Sequence, residues 1–556
     1  MFRPYIVFSL ITLILGSYAA SVATFSPRLQ QEQPASSIVQ ARTLEEAKAA
    51  VDFVGGEITH ELGIIHGVAA RLTEEQRQVL AEVQSVRIRP DGRLHTSGSP
   101  VPDAEHVRLV SADQLHSLGV DGTGVTVAVL DSGMWDTNSN IRDNLYGDDR
   151  ILAQYDVLTG NTKRADDKYG HGTHLTSVIA SSQVSDNGNV EGIAPNVNLV
   201  NVRAFGDDGS GSYADVIVAL DWLLTNKSVY DIRVLNLSFS APPQSYYWDD
   251  PVNQAVMAIW EAGIVVVASA GNSGPDPMTI GVPGNVPYVI TVGAMTDNYT
   301  PTDPSDDRLA SFSAAGPTYE AFVKPEIIAP GGHMLGIMDN GHHQIANDHP
   351  EWVQENHRLY LMSGTSQSAA VVTGVVALLL QAEPSLTPDQ VKCKLMSGAR
   401  SALDVNGQHA YSIFQQGAGM VNAVDAANGI HYDCANRGLD IDADLAGTAH
   451  FVGLANQDAD GDYYITGADT YDWDGVYAPG SGYLDGDGML WNDGMLWNDG
   501  MLWNDGMLWN DGMLWNDGML WNDGMLWNDG MLWNDGMLWN DLAQIPASVN
   551  AWVEQE

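Results

Sequence analysis

The stretch VAVLDSG at 127–133 runs four apolar residues into an aspartate, a serine and a glycine. A β-branched run without polar alternation reads as a strand buried on both faces, which leaves Asp131 at its end. The same pattern recurs at 198–203, 234–237, 264–268 and 289–292, each run bounded by Gly, Asp or Asn, while 213–225 and 251–262 carry apolar residues at helical spacing. Strands alternating with helices predict an α/β domain with a mainly parallel sheet over about 120–430, with ligand chemistry at the strand ends.

Three further motifs share that placement. GHGTHLTSVIA (170–180) sets His171 between two glycines at the head of an apolar helix. MSGTSQSAAVVTGVVALLL (362–380) is apolar nearly all round after Ser366, so the serine is expected to open a buried helix, beside the positive end of its dipole. VVVASAGNSG (265–274) carries Asn272 just beyond another buried strand. Taken singly, each is also an ordinary turn residue or helix cap. Two histidines, His171 and His174, stand three apart, but no Glu lies between them as a helical zinc-protease pattern requires, and His174 is read as structural. Together the four supply what acyl transfer to water needs: a nucleophile, a base, a carboxylate to orient the base, and an amide donor for the oxyanion.

In the order Asp, His, Asn, Ser, these motifs resemble the subtilisin-type serine proteases, over about 110–430. The likeness extends to GDDGSGSYADVIVALDWLL (206–224), LNLSFS (235–240), GVPGNVPYVITVGAM (281–295), ASFSAAGP (310–317) and KPEIIAPGG (324–332). It implies a three-layer subtilisin-like fold and a serine endopeptidase with Asp131, His171 and Ser366 as triad and Asn272 as oxyanion donor, requiring no catalytic cofactor. It further implies that Gly209, Ser210 and Gly211 form one edge of a substrate groove and Ser238, Phe239 and Ser240 the other, with Gly271 and Gly281 in the wall and floor of the main specificity pocket. Broad specificity for large apolar side chains follows. Two departures stand out: Gln367-Ser368-Ala369-Ala370 replaces the family's usual Met-Ala and later Pro, and Ser240 replaces a glycine common in the pocket wall, which narrows the pocket.

The formal charge of -45 and absence of basic clusters exclude nucleic acid as a partner. Residues 1–23 read as an export signal, with Arg3, an apolar run at 6–15, and Ser21 and Ala23 placed for cleavage; an uncleaved membrane anchor is the other reading of the same run. A secreted, extracellular enzyme acting on proteins or peptides as a monomer is expected. Cys393 and Cys434 are then free to form a disulfide. Residues 24–105 read as a propeptide with linker, compact over about 47–92: 37–46 as a mobile linker, 51–54 as strand, and a helix after the Thr73/Gln76 capping pair. The run GGEITHELGIIHGVAARLTEEQ (55–76) resembles the small α+β propeptides of secreted subtilases, implying an intramolecular inhibitor that is cut away.

The peptidase domain is expected at 106–430, with an acidic linker at 431–487. Nine identical copies of Gly-Met-Leu-Trp-Asn-Asp fill 488–541, and 542–556 end the chain. The repeat reads either as stacked coils of a β-solenoid, with calcium screening aligned aspartates, or as a flexible acidic tail whose tryptophans bind a surface or polymer. Structural calcium is also conceivable at SDNGNVEG (185–192), where a plain polar turn fits equally well. The metal ligands are otherwise unassigned. His333, His342, His343, His349 and His357 lie in a segment read as a solvated surface loop.

Overall fold

The computed structural model describes residues 35–81, 83, 85–90, 104–301, 306–354, 358–403, 409–478 and 547–549. The export signal, the hexapeptide repeat and His357 lie outside the described residues. The chain divides into two compact units, Met1–Gly98 and Ser99–Glu556.

In the first unit, β1 (Ala35–Gln40), β2 (Glu57–Leu62), β3 (Gly67–Leu72) and β4 (Arg87–Pro90) form an antiparallel sheet in the order β2-β3-β1-β4. Helices α1 (Leu44–Val54) and α2 (Glu74–Ala81) accompany it, and Val39, Val51, Val68, Leu72 and Leu80 form its core. Two readings of this region need correction. The supposed linker at 37–46 contains an inner strand and the start of a helix, because Ser37 and Val39 face inward and Thr43 caps Glu46 N. Residues 51–54, read as strand, end that helix at Gly55, whose φ of +70° suits glycine. The compact unit therefore starts at Ala35 rather than near 47. The Thr73/Gln76 capping bonds form in both directions, at 2.9 and 3.3 Å.

The second unit is built on an eight-stranded sheet. Its strands are β5 (Thr126–Asp131), β6 (Ile151–Asp156), β7 (Asn198–Arg203), β9 (Ile232–Leu237), β11 (Val265–Ser269), β12 (Ile290–Thr296), β13 (Arg308–Leu309) and β14 (Ile327–Pro330). The order is β13-β12-β11-β9-β5-β7-β6, with β14 also on β12, and every pairing is parallel except β12 with β13. Crossover helices make the two outer layers: α3 (His171–Ala180) packs on α6 (Thr365–Ala382), and α4 (Tyr213–Tyr230) packs on α5 (Pro251–Glu261). The expected helix at 213–225 runs one turn longer, to Tyr230, where Asp231 ends it with φ +49°.

Helix α6 is long and apolar enough to cross a membrane, yet its residues from Thr365 to Leu380 are all buried. A helix apolar on every side is a core helix here, since it touches β9, β11, β12 and β14 along one flank and α3 along another. Helix α7 (Pro388–Ser397) follows, opened by the Thr387/Gln390 capping box.

Two more expectations about this unit are overturned. The His-rich segment is folded: β15 (Met334–Ile337) pairs antiparallel with β16 (Leu359–Met362), and Met338, Ile345, Ala346 and Tyr360 bury a small core between them and Trp352. His343 is fully buried and His342 stacks on Trp135, 4.9 Å between ring centroids. The supposed linker after 430 is packed as far as 478. Cys434 is joined to Cys393, Phe451 enters the main core, and Tyr463 and Trp473, on the short strands β18 (Tyr463–Ile465) and β19 (Ala468–Trp473), close against Phe414. Its acidic composition hid these few aromatic anchors, each worth a few kcal/mol of burial.

The two-residue strands β8 (Ser210–Gly211) and β10 (Phe239–Ser240) form a separate antiparallel sheet with β20 (Ala547–Val549), in the order β10-β20-β8.

Candidate active site

Asp131 is the last residue of β5, flanked by β7 and β9, and its side chain has no solvent exposure. Its Oδ1 accepts from Ser132 N at 2.7 Å and lies 2.8 Å from His171 Nδ1. A carboxylate can only accept, so Nδ1 carries the hydrogen of that bond, and in the neutral form of the ring Nε2 is then the bare nitrogen. Ser132 Oγ donates to the same oxygen at 3.1 Å and accepts from Gly172 N at 3.0 Å, pinning the strand end to the first turn of α3. Gly172 makes this approach possible: a Cβ there would meet Gly133 O at 2.3 Å.

His171 is fully buried, and its Nε2 has no hydrogen-bond partner. His174, one turn on, points into the interior, where Nε2 lies 3.2 Å from Met334 O and 3.3 Å from Tyr360 O. Burial pushes its pKa down to about 3. Among the described residues no group of three or more His, Cys, Asp or Glu side chains could hold a metal ion. The 185–192 segment closes as a turn on its own backbone, with Ser185 N donating to Asn189 O.

Ser366 is the second residue of α6, whose N-cap is Gly364. Helix α6 has no side-chain cap of its own; Asn272, beyond the end of β11, supplies one. Its Oδ1 accepts from Thr365 N at 3.0 Å and Thr365 Oγ1 at 2.8 Å. With the amide oxygen held there, Nδ2 is buried without a partner and lies 3.2 Å from where a Cβ on Gly364 would stand. An unpaired buried N–H beside the serine is costly unless an acceptor arrives during reaction.

The Ser366 hydroxyl donates to Ser238 O at 3.0 Å, and Ser238 Oγ donates back to Ser366 O at 3.1 Å. Asn236 Nδ2 supports Ser238 Oγ at 2.9 Å, and Thr373 Oγ1 supports Asn236 Oδ1 at 2.9 Å. The Asp–His link is thus formed, whereas no hydrogen bond joins Ser366 to the imidazole: the hydroxyl is turned to Ser238 O, just before β10.

Of the residues expected to edge a substrate groove, Ser210 and Gly211 form β8, with Gly209 just before it at φ +74° against Tyr169. Phe239 and Ser240 form β10, with Ser238 leading into it. Gly271 and Gly281 both lie beside Ser240: a Cβ on Gly281 would meet Ser240 Cβ at 2.9 Å, and one on Gly271 would meet Ser240 Oγ at 3.4 Å. The Ser240 side chain therefore occupies space that a glycine would leave open. Sequence reasoning passed over Ser132 and Thr365, which fix Asp131 and Asn272. Their only signal was adjacency, in the triplets DSG and GTS.

Gln367 is also buried, with neither amide atom hydrogen-bonded. Nothing in the structure explains this glutamine.

Residues 122–419, slightly more than half of the chain, match the sequence profile of the subtilase family. The chain is 38% identical over 317 residues to the serine protease AprX of Bacillus subtilis, covering 55% of this chain and 67% of that one. With subtilisin E of the same organism it shares 28% identity over 392 residues, covering 70% and 88%. Fervidolysin from Fervidobacterium pennivorans, a keratinolytic enzyme related to subtilisin, superimposes with a TM-score of 0.44 at 24% identity, covering 72% of this chain and 62% of that chain. This chain belongs to the subtilase family.

Proposed function

We propose that the chain hydrolyses peptide bonds with Ser366 as nucleophile, His171 as general base and then acid, Asp131 as the group that fixes the imidazole tautomer, and Asn272 as oxyanion donor. The observation that carries this reading is the buried 2.8 Å contact of Asp131 Oδ1 with His171 Nδ1, which leaves Nε2 as a bare acceptor on a helix packed against the one Ser366 opens. The Ser366 hydroxyl turns from Ser238 O to Nε2, gives up its proton there and attacks the carbonyl carbon. The developing oxyanion takes the unpaired Asn272 Nδ2–H. His171 then returns the proton to the leaving amine, and water repeats the sequence on the acyl-enzyme. No step requires a cofactor.

Protein and peptide substrates enter as an added strand between β8 and β10. Gly271 and Gly281 leave room for a large apolar side chain, trimmed by Ser240. The chain is made as an exported zymogen: the first unit has its own core and is the intramolecular inhibitor, and the Cys393–Cys434 bond favours an oxidising compartment. Casein hydrolysis by the wild type against Ser366→Ala tests the assignment. Near-complete loss is expected in the variant, and equal hydrolysis by both would remove it.

A further inference from the structure

Ala547–Val549 belongs to the last ten residues of the chain, yet it is the middle strand between β8 and β10. On one side Phe239 faces Val549 and Ser240 faces Ser548; on the other Gly211 faces Ala547 and Ser210 faces Ser548. Both pairings are antiparallel, and among the described residues neither two-residue strand has another strand beside it in that sheet. Short strands with open backbone groups are templates for strand addition. Here the guest is the chain's own end.

The direction of the guest matters more than its presence. Passing from Ser548 to Val549, the added strand moves from Ser240 to Phe239, and the next residue along that edge is Ser238, whose carbonyl holds the Ser366 hydroxyl. The segment therefore runs with its C-terminal direction toward the nucleophile. An acyl donor must enter with this polarity, since its recognised residues precede the bond to be cut. A strand lying on the groove in the opposite sense would have no such meaning.

We propose that Ala547–Val549 is a tethered, substrate-like occupant of this chain's own groove and competes in cis with protein substrates. The proposal rests on the peptidase reading above and adds a regulator to it at the C-terminal end. A tethered segment need not bind tightly, because attachment gives it an effective concentration of up to about millimolar, falling with linker length. Recognition through backbone pairing alone is weak and sequence-tolerant, which suits an occupant that substrate must displace. A hydrolytic cut beyond the strand would leave Ala547–Val549 joined to the domain, so occupancy survives it.

The test compares the full chain with Ser548→Pro and with deletion of 547–556, on a short chromogenic peptide. Proline at the centre of the strand removes an N–H from the ladder. Both variants should show an apparent KM lower by about threefold or more with kcat unchanged, as expected for a weak tethered competitor. A synthetic peptide spanning 547–556 should raise the KM of the deletion variant competitively. Equal KM in all three active proteins would overturn the tethered occupant and leave the peptidase reading intact. A second readout is independent of turnover: in the Ser366→Ala background, amide hydrogen exchange at 210–211 and 239–240 should be slower in the full chain than after deletion. Equal exchange overturns the proposal whether or not the enzyme works, whereas slower exchange with no hydrolysis by any form would keep the occupant and sink the peptidase reading.

Discussion

Strand β5 buries all six of its residues and has a parallel neighbour on each side, whereas β8 and β10 are two residues long and three of their four residues reach the surface. The candidate chemistry is divided between the two kinds of strand. Asp131 stands at the end of a fully paired strand and Asn272 just past another, where neighbours over-determine their positions. β8 and β10, the edges of the proposed groove, pair in their sheet with β20 alone among the described residues. On the proposed reading the large sheet holds the groups that must not move, and the small one receives what must come and go.

The sharpest way to break this comparison is at Asn272. Asn272→Ala removes a partnerless amide N–H near Ser366 and the cap on α6 together, and kcat should fall about 10²- to 10³-fold with little change in KM; that magnitude is carried over from subtilisin, a relative. Steady-state kinetics on a chromogenic peptide check it. A fall in KM-dependent terms alone would mean that Asn272 belongs to the groove rather than to the interior machinery.

Acid should weaken the buried side before the open one. His174 ionises in the folded chain only at about pH 3, while an unfolded chain takes up that proton near 6.5. The unfolded state therefore binds more protons between those values, and stability falls as pH drops from about 6.5 toward 3, by up to a few kcal/mol from this group. Thermal melts across that range, compared with His174→Phe, should show a shallower acid decline in the variant. Identical slopes would place the acid sensitivity elsewhere.

The smallest effect is expected at the groove. Ser240→Gly clears the space beside Gly271 and Gly281, and kcat/KM for phenylalanine over alanine before the cut should rise about tenfold, the scale of one or two methylene-sized volumes in an apolar pocket. Peptide pairs differing at that single residue measure it. No change in the ratio would detach Ser240 from the pocket wall.

The parallel sheet was legible because its strands are continuous apolar runs, and 198–203 was bounded without error. The residues proposed for chemistry were legible because each stands where such a run meets Gly or a helix head. What sequence reading lost were features with no period of their own. Ser37 and Val39 make a strand only against partners thirty residues on, at Ala70 and Val68. Tyr463 and Trp473 fold an acidic stretch by meeting Phe414. The hydroxyl of Ser366 turns toward a carbonyl on another element, and the amide of Asn272 takes its orientation from Thr365; such contacts belong to three dimensions and leave no spacing in the chain.

The bond between Cys393 and Cys434 has a practical corollary. The two cysteines stand 41 positions apart and bracket a surface-reaching stretch, so a nick between them yields two fragments that still travel as a single particle. On a gel, damage of this kind would be invisible until a reductant is added. For a molecule surrounded by active copies of itself, the sulfur staple acts as a splint: the backbone breaks, and the part that clasps the end of the core stays on.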